Sequence, residues 1–417
     1  MNHRSDAILG FAAAVLMALA PPAPAAWVVT EVPNLLTWIG GTEPSDINSN
    51  GEVCGNGNYV VNNSITPFRY DGTTVKELPF LPDADVPIAM TTAINVHGVI
   101  CGYSHNAAGD SRACYWEDTT IHAIPYPPGA STSADLRAYD INDHGVIVGY
   151  FWKPGSVRTA FYYRDGVSYS LDHIISTNGL TGGLQLASGI NNNNVICGIA
   201  DDVAGIANAY TYNIDTGVFT LIGKIGLADC SAVEINESGQ TIGRGKYYPW
   251  DTIHRAVTYD GAWHFVDETA TSSQWGKDIN DNGRMIGHLY LGSSQYASWY
   301  SDGPGNGSMV NLNVPGWTSV QVQGINNDGC IVGYGPTLTS GGDARAFVLA
   351  PPPGDTDHDG TIDLSYAEFA ACISGPAEGA GFVPPSDVCL EAFDSWPRDG
   401  DVDLKDFAAF QIGFGGS

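Results

Sequence analysis

Aspartates alternate with other residues in one short stretch near the end of the chain. Asp355, Asp357 and Asp359 are two residues apart, and Asp363 follows after Gly360. In a twelve-residue loop that wraps a calcium ion, carboxylates lie at positions 1, 3, 5 and 9, and a glycine makes the sharp turn at position 6. Counted from Asp355, these five residues occupy those positions. The stretch therefore predicts a calcium site.

The rest of this first loop supplies one more ligand and one departure from the pattern. Thr361 stands at position 7, where the ligand is a backbone carbonyl, and Ile362 stands at the apolar position 8. Position 12, which should supply a carboxylate, is Tyr366, and Glu368 comes two residues late. We expect this loop to bind calcium more weakly than a complete one.

A second half-copy of the loop follows close to the C-terminus. Its matches to positions 5, 6, 7, 9 and 12 are Asp399, Gly400, the Asp401 carbonyl, Asp403 and Asp406. Positions 1 and 3 are Ser395 and Pro397, so Asp394 serves only if the loop has a one-residue bulge. The sequence thus predicts two calcium ions in residues 354–417. An acidic, solvated tail without metal is the alternative.

The two loops are separated by short helical patterns and by a pair of cysteines, Cys372 and Cys389. Together they resemble the type I dockerin domain of bacterial exported proteins over residues 354–417. The resemblance implies a small α-helical, EF-hand-like domain and calcium-dependent docking. It also implies a partner that is cohesin-like or another cell-surface protein. We expect Cys372 and Cys389 to be bridged.

The elements that precede this tail are repeats. An Ile-Asn pair recurs at intervals of 44 to 49 residues, at Ile47-Asn48, Ile94-Asn95, Ile141-Asn142, Ile190-Asn191, Ile235-Asn236, Ile279-Asn280 and Ile325-Asn326. A period in the forties with strand-like content is typical of a propeller or a solenoid.

Each repeat reads as a four-stranded antiparallel meander. The side chain of an Asn such as Asn142 can bond the backbone two residues on and open a tight turn. Gly145, or Asn194 in the fourth copy, accepts the positive φ that ends the turn. A second glycine, such as Gly149, lies in mid-strand, where another backbone or a ring comes close.

The two ends of the repeat region complement each other. Residues 27–36 resemble the fourth strand of a unit, and the seventh unit lacks that strand after Leu349. An N-terminal strand that completes the last unit closes a ring and removes free sheet edges. We therefore predict an all-β fold, a seven-bladed β-propeller over residues 26–350, joined by a proline linker at residues 351–353 to the tail.

The repeats, which read roughly A-x-x-I-N-x-x-G-x-V-V-G followed by x-A-F-x-Y, resemble the HAF family of extracellular repeats. The resemblance covers about residues 43–349 and implies export and a propeller-like repeat. It implies no agreed chemistry.

The N-terminus and the charge predict an exported protein. Residues 1–25 combine an apolar run, Ala7 to Ala20, with the small-residue site Ala23-Pro24-Ala25, as in an export signal. No other segment approaches transmembrane length, so we expect a secreted or cell-surface protein; an uncleaved anchor is the alternative. The balance of 45 acidic against 17 basic residues, a net charge of −28, argues against nucleic acid as a partner.

Export makes disulfides possible. The midpoint between Cys101 and Cys114 falls within the turn formed by residues 107–109, so an antiparallel hairpin would place the two cysteines face to face, which predicts a cross-strand disulfide. Two buried thiols are the alternative.

The propeller carries no G-x-S-x-G, H-E-x-x-H or phosphate-loop motif. Its variable connections, from second to third strand and from fourth strand to the next unit, share one face of the disc, where binding sites are favoured. Candidate ligand-binding residues in these connections are Trp152, Tyr247, Tyr248, Trp250 and Tyr290, with His105 and His288 in equivalent places. Such aromatic rings can stack on a sugar, anchor a protein partner, or pack against their own loop.

We therefore predict a secreted binding or scaffold protein. Its propeller face recognises a glycan or a protein, and its tail docks to a partner. One alternative is a polysaccharide-acting enzyme of the glycoside hydrolase or lyase type, because dockerin-like tails often accompany such enzymes. A purely structural cell-surface repeat is a further alternative.

Overall fold

The computed structural model describes residues 27–352, apart from residues 35–40, 60–63, 83–86, 132–134, 156, 178–182, 202–205, 223–227, 247, 269, 293–294, 304–308, 313 and 341. In the tail it describes Asp355, Phe369, Cys372, Cys389, Leu390, Phe393, Asp394, Val402 and Asp406. The predicted export signal and most of the predicted calcium domain thus lie outside the described residues.

The strands form seven four-stranded sheets. The first strand of the described residues is β1 (Val28–Glu31). Blade 1 is β2 (Thr42–Ile47), β3 (Val53–Tyr59), β4 (Ser64–Tyr70) and β5 (Val75–Glu77). Blade 2 is β6 (Ala89–Ile94), β7 (Ile100–His105), β8 (Ser111–Glu117) and β9 (Thr120–Ala123). Blade 3 is β10 (Leu136–Ile141), β11 (Ile147–Lys153), β12 (Val157–Arg164) and β13 (Val167–Ser170), followed by a 3-10 helix, Asp172–Thr177.

The remaining blades repeat the pattern. Blade 4 is β14 (Gly183–Ile190), β15 (Val195–Asp201), β16 (Ala207–Asn213) and β17 (Phe219–Leu221). Blade 5 is β18 (Asp229–Ile235), β19 (Thr241–Lys246), β20 (Arg255–Tyr259) and β21 (Trp263–Phe265). Blade 6 is β22 (Gln274–Ile279), β23 (Met285–Gly292), β24 (Gln295–Ser301) and β25 (Val310–Asn311). Blade 7 is β26 (Gln321–Ile325), β27 (Ile331–Pro336), β28 (Ala344–Ala350) and, as its outermost strand, β1.

The blades close into a ring. The first strand of each blade contacts the first strand of the next, and β26 of blade 7 contacts β2 of blade 1. β1 pairs with β28 in antiparallel register, with Val28 opposite Ala350 and Glu31 opposite Phe347. The chain is a seven-bladed β-propeller, and the prediction that the N-terminal strand completes the last blade is confirmed.

The repeated asparagines form a closed ring of hydrogen bonds. The side-chain amide of each donates to the backbone carbonyl of the equivalent asparagine in the next blade, at 2.8 to 3.1 Å. The last bond, from Asn326 to the Asn48 carbonyl at 3.0 Å, joins blade 7 to blade 1. The side-chain oxygen of Asn142 also accepts the backbone N–H groups of His144 and Val146, as the predicted turn requires. One side-chain amide therefore fixes a turn and a blade contact together.

The glycines of the repeat have the predicted roles. Gly145 has a φ of 74° and Asn194, which replaces it in the fourth blade, a φ of 56°. A Cβ on Gly149 would collide with the carbonyl oxygen of Arg137 on the neighbouring strand. The mid-strand glycine thus lets the innermost strand approach the second strand closely.

Apolar side chains fill the spaces between neighbouring blades. Between blades 3 and 4, for example, Val148 and Ala160 pack with Leu184 and Tyr210, all fully buried. Each blade therefore needs its neighbours to bury its faces, as in other repeat folds.

The predicted Cys101–Cys114 disulfide is wrong. Both residues are free and buried, because the register places Gly102, and not Cys101, opposite Cys114. A one-residue shift sends a side chain to the other face of a sheet. Cys101 accordingly packs between blades 2 and 3, and Cys114 packs toward blade 1.

In the tail, Cys372 and Cys389 form a disulfide, with 5.3 Å between their Cα atoms. Beside it, the ring of Phe369 stands edge-on to Phe393 at 5.0 Å, and both pack with Val402. Within the part of the chain that the structure describes, no helix is long and apolar enough to cross a membrane.

Candidate ligand-binding face and central channel

The meander gives the disc two different faces. The asparagine turns and the turns between third and fourth strands lie on one face, which we call the turn face. The connections from second to third strands and from blade to blade lie on the opposite face, which we call the loop face. Binding residues are favoured on long connections held by a rigid scaffold.

Acidic residues on the turn face serve as links between blades. The residue after each repeated asparagine often accepts the equivalent backbone N–H of the preceding blade: Val96 donates to Asp143 at 2.9 Å and Glu237 donates to Asp281 at 2.8 Å. The backbone N–H of Asp143 in turn donates to the side-chain oxygen of Asn192. The side-chain amide of Asn192 donates back to the Asp143 carboxylate. The turn face is thus acidic but largely occupied with its own hydrogen bonds.

Three aspartates line the central channel, each between two blades. Each immediately precedes the isoleucine of its repeat and accepts that residue's N–H together with the N–H of the isoleucine in the next blade. The bonds are from Ile47 and Ile94 to Asp46, from Ile141 and Ile190 to Asp140, and from Ile279 and Ile325 to Asp278, at 2.6 to 3.0 Å. A β-bulge in the innermost strand, at the residue before each aspartate, accompanies this arrangement.

The fifth blade completes the set with a longer side chain. Ile235 donates to Glu234 at 3.0 Å. The blades that lack a carboxylate have a small residue at this position, namely Ala93, Gly189 and Gly324. A Cβ on Gly189 would collide with Glu234, and one on Gly324 would lie 2.8 Å from Asp46. Small residues therefore leave room for the neighbouring carboxylates.

Burial raises the pKa of all four channel carboxyl groups. It raises the pKa of Asp46 to about 8, with a further contribution from the charge of Asp278. It raises the pKa of Asp140 to about 6, and it also raises the pKa values of Glu234 and Asp278. Within the described residues, no group of three or more His, Cys, Asp or Glu side chains is arranged to hold a metal ion. The four groups line a channel cavity of about 630 Å³, and the three aspartates hold neighbouring blades together through their interblade hydrogen bonds.

The predicted aromatic residues of blade 5 are prominent on the loop face. Tyr248 and Trp250 stack in parallel, with 4.9 Å between ring centroids and an interplanar angle of 4°. Trp250 is 75% exposed, so its free face is open to solvent. Tyr247 lies outside the described residues.

In blade 6, Tyr290 belongs to an aromatic cluster on the same face. Its ring contacts Trp275 at 6.2 Å and Tyr296 at 5.5 Å. His288 lies beside Tyr296, and its Nε2 is 2.7 Å from the Val322 carbonyl. Burial lowers the pKa of His288 to about 4, so the ring is neutral at physiological pH and serves to join blades 6 and 7.

In blade 3, Trp152 is half-buried and meets Tyr150 edge-on at 6.2 Å. Two arginines that the sequence did not single out lie close by: Arg158 over the ring of Tyr150 at 5.3 Å, and Arg137 over the ring of Tyr103 at 4.5 Å. Their signal in the sequence is only their place at the loop-face ends of strands. His105 stacks on Tyr103 at 6.4 Å, and burial together with the charge of Arg137 lowers its pKa.

Three of the predicted calcium ligands are described, and all three are buried: Asp355, Asp394 and Asp406. The other predicted ligands, Asp357, Asp359, Thr361, Asp363, Asp399, Asp401 and Asp403, lie outside the described residues.

Comparison with known proteins shows the fold alone. No protein-family model matches the chain, and no curated protein matches it. A prolyl endopeptidase structure is similar with a TM-score of 0.51 at 12% identity, covering 76% of this chain and 51% of that chain. The β-propeller domain of the trilobed protease from Pyrococcus furiosus, with an open velcro topology, has a TM-score of 0.49 at 12% identity, covering 74% and 95%. A puromycin-hydrolysing peptidase of Mycobacterium tuberculosis also has a TM-score of 0.49 at 12% identity, covering 86% and 60%.

Proposed function

We propose that this chain is an exported glycan-binding protein that recognises a carbohydrate on the loop face of its propeller. The observation that carries the proposal is the exposed parallel pair of Tyr248 and Trp250. Large aromatic rings left open to water on a rigid scaffold are favoured at binding sites. A flat ring offers an apolar surface to the C–H face of a sugar, and the sugar hydroxyl groups stay in water.

The neighbouring blades extend this surface. Tyr290 and Leu291 at the end of β23 in blade 6, and Leu338 in the second-to-third connection of blade 7, are exposed on the same face. Together with Tyr248 and Trp250 they form a series that extends over three consecutive blades, from blade 5 to blade 7. An extended series of exposed apolar side chains suits a chain-like ligand such as a polysaccharide.

The tail provides the second half of the proposal. We propose that residues 1–25 are an export signal, that residues 351–353 are a linker, and that residues 354–417 form a dockerin-like domain. This domain would bind two calcium ions and dock to a cohesin-like or other cell-surface protein. The spacing of the aspartates supports it, and three of the predicted ligands, Asp355, Asp394 and Asp406, are buried. When bound, calcium would draw carboxylate and carbonyl oxygens of this chain into both loops and fix their geometry.

A panel of soluble and insoluble polysaccharides tests the glycan proposal. We expect the full chain to bind at least one of them, and Trp250→Ala or Tyr248→Ala to weaken that binding at least tenfold. The matched control is Tyr169→Ala. Tyr169 is 42% exposed and stacks on Tyr162 at 4.7 Å, but it lies on the outer strand β13. A panel with no binding, or equal losses for Tyr169 and Trp250, would contradict the proposal.

A further inference from the structure

Basic residues are placed unevenly on this acidic protein. The loop-face ends of the strands carry Arg112, Arg137, Lys153, Arg158, Lys246, Arg255 and Arg345. On the turn face, Arg69, Arg164 and Arg284 are each paired with a carboxylate, from Glu52, Asp215 and Asp302 respectively. On the loop face, Arg137, Lys153 and Arg255 are also paired, with Asp135, Asp172 and Asp251 respectively. The chain has 45 acidic and only 17 basic residues, so a basic residue that has no such pair stands out.

Two of these arginines form a compact patch with aromatic rings. Arg137 lies opposite Tyr150 in the pairing of β10 with β11, and Trp152 lies opposite Arg158 in the pairing of β11 with β12. Since Tyr150 and Trp152 are two residues apart on one strand, all four side chains share one face of the sheet. We call Arg137, Tyr150, Trp152 and Arg158 the arginine–tyrosine patch.

The charge of Arg158 has no carboxylate partner among the described residues. Its Nη2 donates to the neutral side-chain oxygen of Gln185 at 3.2 Å, and the amide of Gln185 is in turn held by Asp201. The guanidinium lies over the Tyr150 ring, which orients it without neutralising it. Arg112, over Tyr126 at 5.2 Å, likewise has no ion pair within the described part of the chain.

Arg137 is fixed in position but can still donate a further hydrogen bond. One nitrogen, Nη2, bonds Asp135 at 3.0 Å, and Asp135 is itself fixed by the backbone N–H of Ser111 at 2.9 Å. The guanidinium plane rests on the Tyr103 ring, and 30% of the side chain is exposed. Within the described residues its Nη1 has no hydrogen-bond partner, so it can still donate to a ligand.

We infer that the arginine–tyrosine patch is the subsite for an acidic sugar, so that the ligand of the loop face is a polysaccharide that carries carboxylate or sulfate groups. This inference rests on the proposed glycan-binding function and names its ligand class. A planar guanidinium binds a carboxylate or sulfate through two parallel hydrogen bonds. The exposed part of Trp152 supplies the apolar surface for the adjoining sugar ring.

The net charge of −28 does not prevent this binding. At an ionic strength of 0.15 M, charges are screened over about 8 Å. A sugar acid at the patch therefore interacts mainly with Arg137 and Arg158 and with two nearby carboxylates, Asp135 and Asp201, which are already engaged by Arg137 and Gln185. It interacts little with the acidic turn face on the far side of the disc. The local guanidinium contacts decide the sign of the interaction.

Matched pairs of charged and neutral glycans test the inference. We would titrate the full chain with oligogalacturonate and its methyl ester, and with dextran sulfate and dextran. We expect at least tenfold tighter binding of one charged member than of its neutral counterpart. Arg137→Gln and Arg158→Gln should each reduce binding of the charged member by about tenfold, since a hydrogen bond to a charged group contributes at that level.

The controls separate the inference from simpler explanations. Arg164→Gln removes an arginine of the same blade on the turn face and should change nothing. Arg158→Lys keeps the charge and should retain part of the affinity, and the melting temperature of each variant reports whether it folds. Equal binding of charged and neutral glycans, or preference for neutral ones, would overturn the inference and leave the proposed glycan binding intact. Absence of binding to any glycan would overturn both.

Discussion

At the scale of single residues, one asparagine side chain carries much of the architecture. The oxygen of Asn142 closes its own turn, and its amide nitrogen reaches the backbone of the next blade at Asn191. If this donor is removed, the buried carbonyl is left without a hydrogen bond, and its uncompensated desolvation lowers stability. The recurrence of asparagine in seven repeats therefore has a structural cause in the ring of hydrogen bonds.

Replacing Asn142 with Ala should lower the free energy of unfolding by about 2–4 kcal/mol, because it removes the interblade bond and both turn bonds. Chemical denaturation at equilibrium measures the change. Asn193→Ala is the matched control, because Asn193 makes a similar interblade bond, to the Glu237 carbonyl at 3.0 Å, at an exposed site. Equal losses for the two variants would show that the buried ring has no special role.

A second residue-scale prediction concerns pH. The folded-state pKa of Asp46 is raised to about 8 from an ordinary value near 3.8. Between these values the folded protein keeps a proton that the unfolded chain has lost, so this group makes stability fall as pH rises from about 4 to 8. Asp46→Asn stays neutral throughout. It should be less stable than the wild type at pH 5 by about 1–3 kcal/mol, and the difference should shrink toward pH 8.

Denaturation curves collected between pH 5 and 8 measure that trend. Asp165→Asn, in an exposed turn, is the control and should follow the wild-type profile. A difference between Asp46→Asn and wild type that grows with pH would contradict the raised pKa.

At the scale of elements, β1 and the innermost strands show what the sequence could and could not reveal. The period of the Ile-Asn pairs, the positive-φ positions and the missing fourth strand of the last unit were enough to predict seven blades and their closure. The channel carboxylates were not identified from the sequence, because they do not occur in every repeat. Asp46, Asp140 and Asp278 precede the isoleucine in three repeats, whereas Ala93 and Gly189 hold the same position in two others. The pairing of the aspartates with the next blade's isoleucine becomes visible only when the strands are placed side by side.

The predicted pairing of Cys101 with Cys114 in the hairpin of blade 2 was wrong for a related reason. Its four-residue turn begins at Asn106, whose oxygen accepts the N–H groups of Ala108 and Asp110. That turn pairs His105 with Ser111 and shifts every later pair by one residue from the predicted register. Sequence spacing alone does not fix a register, because the turn type decides it.

Removing β1 should open the ring. Deletion of residues 27–36 exposes the edge of β28 and uncovers the core beside Val32, and such edges destabilise a sheet and promote aggregation. We expect a clearly lower melting temperature and concentration-dependent aggregation in calorimetry and light scattering. A chain that starts at Trp27 is the control. A β1-deleted chain that melts like this control would refute closure by β1.

The tail should respond to calcium as an element of its own. Both loops depart from the full pattern, so the affinity should lie at the weak extracellular end, on the order of 10⁻⁴ to 10⁻³ M. Calcium at about ten times that level should protect residues 354–417 from proteolysis, and a chelator should remove the protection. Asp406→Asn should weaken the protection and Asp165→Asn should not. A cleavage pattern that is the same with calcium and with chelator would contradict the calcium proposal.

At the scale of the whole molecule, the two faces of the disc differ. The polar groups of the turn face are largely hydrogen-bonded to one another, whereas the loop face has groups that are available to a ligand. The turn face uses Asp143, Asn192 and Glu237 to join its blades. The loop face carries the exposed Tyr248–Trp250 pair and the uncompensated Arg158. The turn face therefore holds the ring together, and the loop face is available to bind a ligand.

The central claim is that the loop face of the closed propeller binds a glycan. Hydrogen–deuterium exchange, with and without the glycan that binds best in the panel, tests it most directly. We predict slower exchange in the connections that hold Tyr248, Trp250 and Tyr290 and around Trp152, with no change in the seven asparagine turns. Protection confined to the asparagine turns, or no glycan-dependent protection on the loop face, would contradict the claim.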